Sequence, residues 1–147
     1  LSRAINRLAA EVRTPKALAV IRQCQARYFT AVEGGDIHAI AAADLAFHLA
    51  ISEASANGFL GNFYRLALDY GRRMHLLHYY PIFNVEEAER SLAEHAAMAA
   101  AIEAGDALRS EEAASAHVMS ELRVVQRSLE PKVGVNFSLG NGLRSPK

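Results

Sequence analysis

The feature that most restricts what this chain can fold into is its punctuation. Strong stop-and-start signals are confined to a few short words, Thr14-Pro15, Gly34-Gly35-Asp36, Asn57-Gly58, Pro81 and Gly105-Asp106, and the segments between them repeat apolar residues with the period of a helix. Ile5, Leu8, Ala9 and Val12 make a first amphipathic segment that stops near Thr14-Pro15, where Thr can cap and Pro can open the next helix. A helix is expected from about 15 to 33, with Leu18, Ile21, Tyr28, Phe29 and Val32 inward. The next, about 36 to 56, carries Ile40, Asp44, Phe47, His48, Ile51 and Ser55 on one face. A further helix, 59 to about 80, repeats Phe63, Leu66, Tyr70, Met74 and Leu77 and closes at Pro81. Two more run from Glu86 to Ala104, with Leu92, His95, Met98, Ala99 and Ile102 on one face, and from Gly105-Asp106 to about Glu130, with Ala113, Ala114, His117, Val124 and Val125. Alanine-rich runs such as AIAAAD and AAMAAAIEAGD favour helix intrinsically, and no strand pattern competes. The expected fold is all-α, an antiparallel bundle of about six helices over residues 1–130, followed by a flexible tail, 131–147, with three glycines and no periodicity.

The 147 residues, 51% hydrophobic, suffice for one domain with a real core. Net charge is zero and no Lys/Arg stripe forms, so the electrostatic footprint of a nucleic-acid binder is missing from this stretch. No apolar run reaches the ~20 residues that span a bilayer, and the reading is a soluble, cytoplasmic protein. Cys24 is alone, which excludes an internal disulfide and a thiolate-rich metal site. The chain opens on Leu1 in mid-pattern, so helix 1 is expected to be truncated.

Against that background four polar side chains stand in the wrong place. Asp44 and His48, four residues apart, lie one above the other on an apolar face, and His95 and His117 occupy inward positions of the last two helices. A carboxylate and three imidazoles buried without partners would cost several kcal/mol each, so the pattern calls for a cation. Three imidazoles and a carboxylate suit Zn, Ni, Co, Mn or Fe, and suit Ca or Mg poorly. A di-iron carboxylate centre needs Glu-x-x-His, but Leu45, Leu92 and Ala114 stand three residues before the histidines. His38, at a helix start, and His75 and His78, beside the HYYP helix end, are expected to be solvent or pocket-lining groups.

The words DLAFHLAISEASANGFL and EHAAMAAAIEAGD, then the A-x-x-x-H of AASAH, resemble in that order the C-terminal effector-binding (FCD) domain of FadR-like, GntR-type bacterial transcription regulators. The resemblance covers roughly residues 1–130. It implies that Asp44, His48, His95 and His117 hold a divalent metal, commonly zinc or nickel, at which a small carboxylate metabolite binds. It also implies a homodimer whose operator is contacted through an N-terminal winged-helix domain, which is not in this stretch. Arg72 and Arg73 are candidates to clamp the acid's carboxylate, and Asn57 to donate to the ligand or cap the next helix. No catalytic residue is expected. The alternatives are a metal-dependent hydrolase, for which Glu53 and Glu94 are the nearest acids, a metal sensor, and a structural metal.

Overall fold

Six α-helices account for almost all of residues 1–130, which are the residues that the structure, a computed structural model, describes; the expected flexible tail, 131–147, lies outside them. They are α1 (Ser2–Val12), α2 (Pro15–Gly34), α3 (Ile37–Ala54), α4 (Gly58–Met74), α5 (Val85–Ala104) and α6 (Ala107–Leu129). Among the described residues there is no strand. The boundaries follow the punctuation. Thr14 Oγ1 accepts from Ala17 N at 3.1 Å with Pro15 in the first turn, and Asp36, Asn57, Asn84 and Asp106 each accept from backbone N–H groups of the turn they open. Such caps contribute about 1 kcal/mol each. Gly35 and Gly105 end α2 and α5 in the left-handed region, φ 72° and 71°, which lets a two-residue connection reverse the chain into the next helix.

These tight reversals pair α2 with α3 and α5 with α6, while α1 lies against α6, α3 and α5 and supplies the fully buried Ile5, Ala9 and Ala10. The core joins them to Phe47 and Ile51 of α3, Met98 and Ile102 of α5 and Ala114 of α6. Fully buried alanines at these contacts, Ala9, Ala10 and Ala114, let the backbones approach closely. By length and composition α3 could cross a membrane, but Ile40, Phe47, Ile51 and other residues of it are buried in the bundle.

The structure departs from the sequence expectation around α4. The α-helix stops at Met74 rather than running to Tyr80; a π-helical turn, His75–Tyr79, and a 3-10 turn, Tyr80–Ile82, follow. That irregular backbone buries both Tyr79 and Tyr80 beside Tyr28, Ile40 and Val124. The stripe expected to face inward, Phe63, Leu66, Tyr70, Met74 and Leu77, is exposed, Tyr70 by 72%. Tyr64 is the one α4 residue that is buried, with Leu60 and Leu68 half-buried beside it. The helix has two apolar faces, and the one with small residues wins because it can come close to α3: a Cβ added to Gly61 would meet Ser52 Oγ at 3.2 Å. Phe29 and Val12, also expected inward, are exposed by 49% and 45%.

Truncating Ile102, which is fully buried, to alanine should therefore cost about 2–5 kcal/mol of unfolding free energy, while Phe63→Ala should stay within about 0.5 kcal/mol. Urea unfolding of both variants checks this; a comparable loss for Phe63 would contradict the exposed position of its face.

Candidate metal centre

Each member of the quartet is delivered by the helix its spacing required. Asp44 and His48 are one turn apart on α3, His95 comes from the middle of α5 and His117 from the middle of α6. The three imidazoles form a near-equilateral triangle, with ring centroids 5.2 Å (His48–His95), 5.1 Å (His48–His117) and 4.8 Å (His95–His117) apart. One donor atom from each of the four residues lies within 4.8 Å of every other. Asp44 Oδ1 stands 3.2 Å from His95 Nε2 and 3.6 Å from His48 Nε2. All three histidines are at most 4% exposed, whereas the Asp44 side chain, at 14%, opens on a cavity.

The ring orientations are set by what the other nitrogen does. His95 Nδ1 donates to the Ser91 carbonyl at 2.8 Å, and His117 Nδ1 donates to the Glu94 carboxylate at 2.9 Å. The Tyr64 hydroxyl lies 3.5 Å from His48 Nδ1. A carbonyl or carboxylate can only accept, so Nδ1 of His95 and His117 carries the proton and the Nε2 lone pair is left for the centre. Both of these Nε2 atoms are buried and have no hydrogen-bond partner. A buried nitrogen without a partner is costly, and several converging on one carboxylate form a donor set for a divalent ion. Outer acceptors that hold an imidazole in one tautomer are the usual accompaniment of such a set. The residues present therefore fit a metal. Phe47, edge-on to His95 at 4.7 Å, and Tyr28, 4.4 Å from it, wall the imidazole in.

The electrostatics agree with that reading. Burial would push the Asp44 carboxyl up, but His48, His95 and His117 outweigh it and hold the carboxyl below the usual range. Burial pulls His48 down to about 3 despite the attraction of Asp44. Burial also opposes charge on His117, but Glu121, Glu94 and Asp44 together raise it to about 9. Without a metal, the positive charge this geometry asks for is a proton on His117.

Above the quartet lies a cavity of about 320 Å³, lined among others by Asp44, His48, Tyr64, Arg72, His75 and Glu121. That volume suits a small organic ligand. Arg72 and Arg73, at the end of α4, are both exposed, but only Arg72 lines the cavity. Asn57 caps α4, accepting from Leu60 N at 3.0 Å, and lines a separate depression with Ser52, Glu53 and Arg65. His75 lines the cavity from the π-helical turn, His78 is half-buried outside it, and His38 is exposed at the start of α3. Of the two acids weighed as catalytic bases, Glu53 is exposed and Glu94 is engaged by His117 and lies 3.6 Å from Arg90. Sequence reasoning did not anticipate Glu121, Tyr64, or the part played by Glu94. A signal for Glu121 was available: His117-x-x-x-Glu121 repeats on α6 the one-turn spacing of Asp44 and His48.

The metal-free domain should be most stable near pH 6.5. His48 stays neutral in the fold down to about 3 while the unfolded chain takes up its proton near 6.5, so stability falls as the pH drops below 6.5, and the depressed Asp44 adds to this loss. His117, raised to about 9, contributes stability that is full below 6.5 and is lost as the pH rises through 9. Urea midpoints of chelator-treated protein at about pH 4.5, 6.5 and 9 measure both limbs; a midpoint that climbs steadily across the range would contradict this assignment.

No curated protein sequence matches the chain. The family model described as the FCD domain matches residues 1–120, a span that runs from α1 well into α6 and includes Asp44, His48, His95 and His117. Over that length the match agrees with the bundle and with the spacing of the quartet, and the chain belongs to the FCD domain family.

Proposed function

We propose that residues 1–130 form the ligand-sensing domain of a transcription regulator, which binds a small carboxylic-acid metabolite at a divalent metal held by Asp44, His48, His95 and His117. FCD domains are regulatory effector-binding domains, which supports the coarser part of this reading and the absence of a catalytic role. One observation carries the finer part. Three imidazoles engage Nδ1 with surrounding groups, His48 and His95 turn Nε2 to Asp44 Oδ1, and one donor atom of each of the four residues lies within 4.8 Å of the others, beside a cavity that Asp44, His48 and Arg72 line. Zinc or nickel suits this donor set best, with manganese, cobalt or iron as further candidates. The metal would supply a Lewis-acidic anchor for the acid's oxygen atoms. Arg72 would pair with the carboxylate, and Tyr64 and Tyr80 would shape the wall around the remainder. In this reading the chain works as a homodimer, and operator DNA is contacted through another, N-terminal domain.

Protein purified without chelator should carry close to one equivalent of metal. A panel of small hydroxy and keto acids should then raise its melting temperature, because a ligand that binds only the native state stabilises it. His95→Ala should abolish metal retention and the acid-induced shift together, and acid binding that survives this change would refute attachment at the metal. Arg72→Ala should weaken the acid by roughly tenfold or more, the loss of one charge-assisted hydrogen bond, with metal content unchanged. Glu94→Gln should lower metal affinity by roughly 10- to 100-fold, since it removes the charge that orients His117. Competition with a chromogenic chelator reads that change.

A further inference from the structure

Glu121 is a charged residue of the cavity wall to which neither the family resemblance nor the quartet gives a role. Its carboxylate lies on the cavity side of His117, one helical turn further along α6, and its side chain is only 15% exposed, much like Asp44. Glu121 Oε1 stands 3.3 Å from His117 Nε2, yet that nitrogen has no hydrogen-bond partner. The same holds for the pair Asp44 Oδ1 and His95 Nε2, 3.2 Å apart. Two lone pairs facing each other at that distance repel unless a proton or a metal ion sits between them, and each of these places is one that a metal ion can take over. Metal–ligand bonds of about 2.1 Å put neighbouring ligand atoms roughly 3.0 to 3.4 Å apart in tetrahedral or octahedral arrangements. Both pairs fall in that interval.

We propose that Glu121 is a fifth metal ligand, and a displaceable one that occupies the position an incoming carboxylate takes. This inference rests on the reading that Asp44, His48, His95 and His117 hold a metal. Asp44 is tied into the centre by His95 and His48, whereas Glu121 has somewhere else to go. Its second oxygen, Oε2, is 3.6 Å from His75 Nε2, on the irregular turn that follows α4. Rotation of the side chain toward His75 exchanges its bond to the metal for a hydrogen bond from that imidazole. An external carboxylate then makes the bond that Glu121 leaves. One carboxylate replaces another, so the charge on the metal is unchanged, and the displaced anion stays in the cavity wall rather than in solvent.

Cobalt(II) provides the test, because its visible absorption reports coordination number and ligand set. Chelator-treated wild-type protein, Glu121→Gln and the exposed control Glu112→Gln are titrated with cobalt(II), then with acetate as the simplest competing carboxylate. Glu121→Gln should change the visible spectrum and weaken cobalt affinity by at least the roughly tenfold that outer groups already command. It should also bind acetate about tenfold more tightly once cobalt is in place, because the internal competitor is gone. Glu112→Gln should change neither. An unaltered spectrum and affinity for Glu121→Gln would remove Glu121 from the ligand set, and an altered spectrum with unchanged acetate affinity would overturn its displacement. If the wild-type protein binds no cobalt, the underlying metal reading fails instead. Should the glutamine variant not fold, Glu121→Asp, which retracts the carboxylate by one methylene, is expected to show the same weakened metal affinity.

Discussion

Three imidazole nitrogens and a carboxylate oxygen, gathered within 4.8 Å of one another inside a helical core, are the constraint around which the rest of this bundle is arranged. Buried polar atoms without partners are unfavourable, and here the two unpartnered nitrogens, His95 Nε2 and His117 Nε2, come from α5 and α6 and face a carboxylate and an imidazole of α3. The fold therefore holds α3, α5 and α6 at a separation where one positive charge can satisfy all of them. Outer groups make that arrangement specific: Ser91 and Glu94 fix the tautomers of His95 and His117, while Phe47 and Tyr28 restrict the rotation of His95. With a proton in the cation's place, the burden falls unevenly, lowering His48 and raising His117.

The two sides of the centre are built differently. Beneath it, Ile5, Phe47, Ile51, Met98, Ile102 and Ala114 pack without regard to any ligand. Above it, α4 is held through few contacts: it packs on α3 and the π-helical turn, and Tyr64 is its buried residue. Tyr64 touches His48, and Arg72 at the other end of α4 lines the cavity. In the proposed sensor, α4 is thus the element through which occupation of the cavity reaches the surface, because it contacts both the centre and, through its exposed apolar face, whatever lies outside. A population shift of this kind requires the ligand to favour one packing of α4 over another.

How much of this was legible in advance differs by residue. The caps Thr14, Asp36 and Asp106 and the turns Gly35 and Gly105 announced their roles, because capping and left-handed turns depend on residues adjacent in the chain. The quartet was legible because helical periodicity places i and i+4 on one face, and polar residues on an apolar face are conspicuous. Glu121 carried the same one-turn signal from His117, but an acid four residues from a histidine on a helix rich in Glu and Arg does not stand out. The face of α4 was misjudged because that helix offers two apolar stripes. Arg72 and Arg73, adjacent in sequence, part company: the helix turns 100° between them, and only Arg72 lines the cavity.

By itself, then, the sequence determined an all-α chain, its helix boundaries to within a few residues apart from the end of α4, and four metal-type side chains aimed at one interior. Those are consequences of local backbone preference and of burial, which act along the chain. Tertiary structure alone decided that the four donors gather within 4.8 Å of one another, that Glu121 stands beside His117 in the cavity wall, that α4 turns its bulky stripe outward and that Arg72 rather than Arg73 or Asn57 lines the cavity. These depend on how closely α3, α5 and α6 approach and on which face of α4 has residues small enough to fit, and such distances are set by packing between segments that no spacing within a segment encodes.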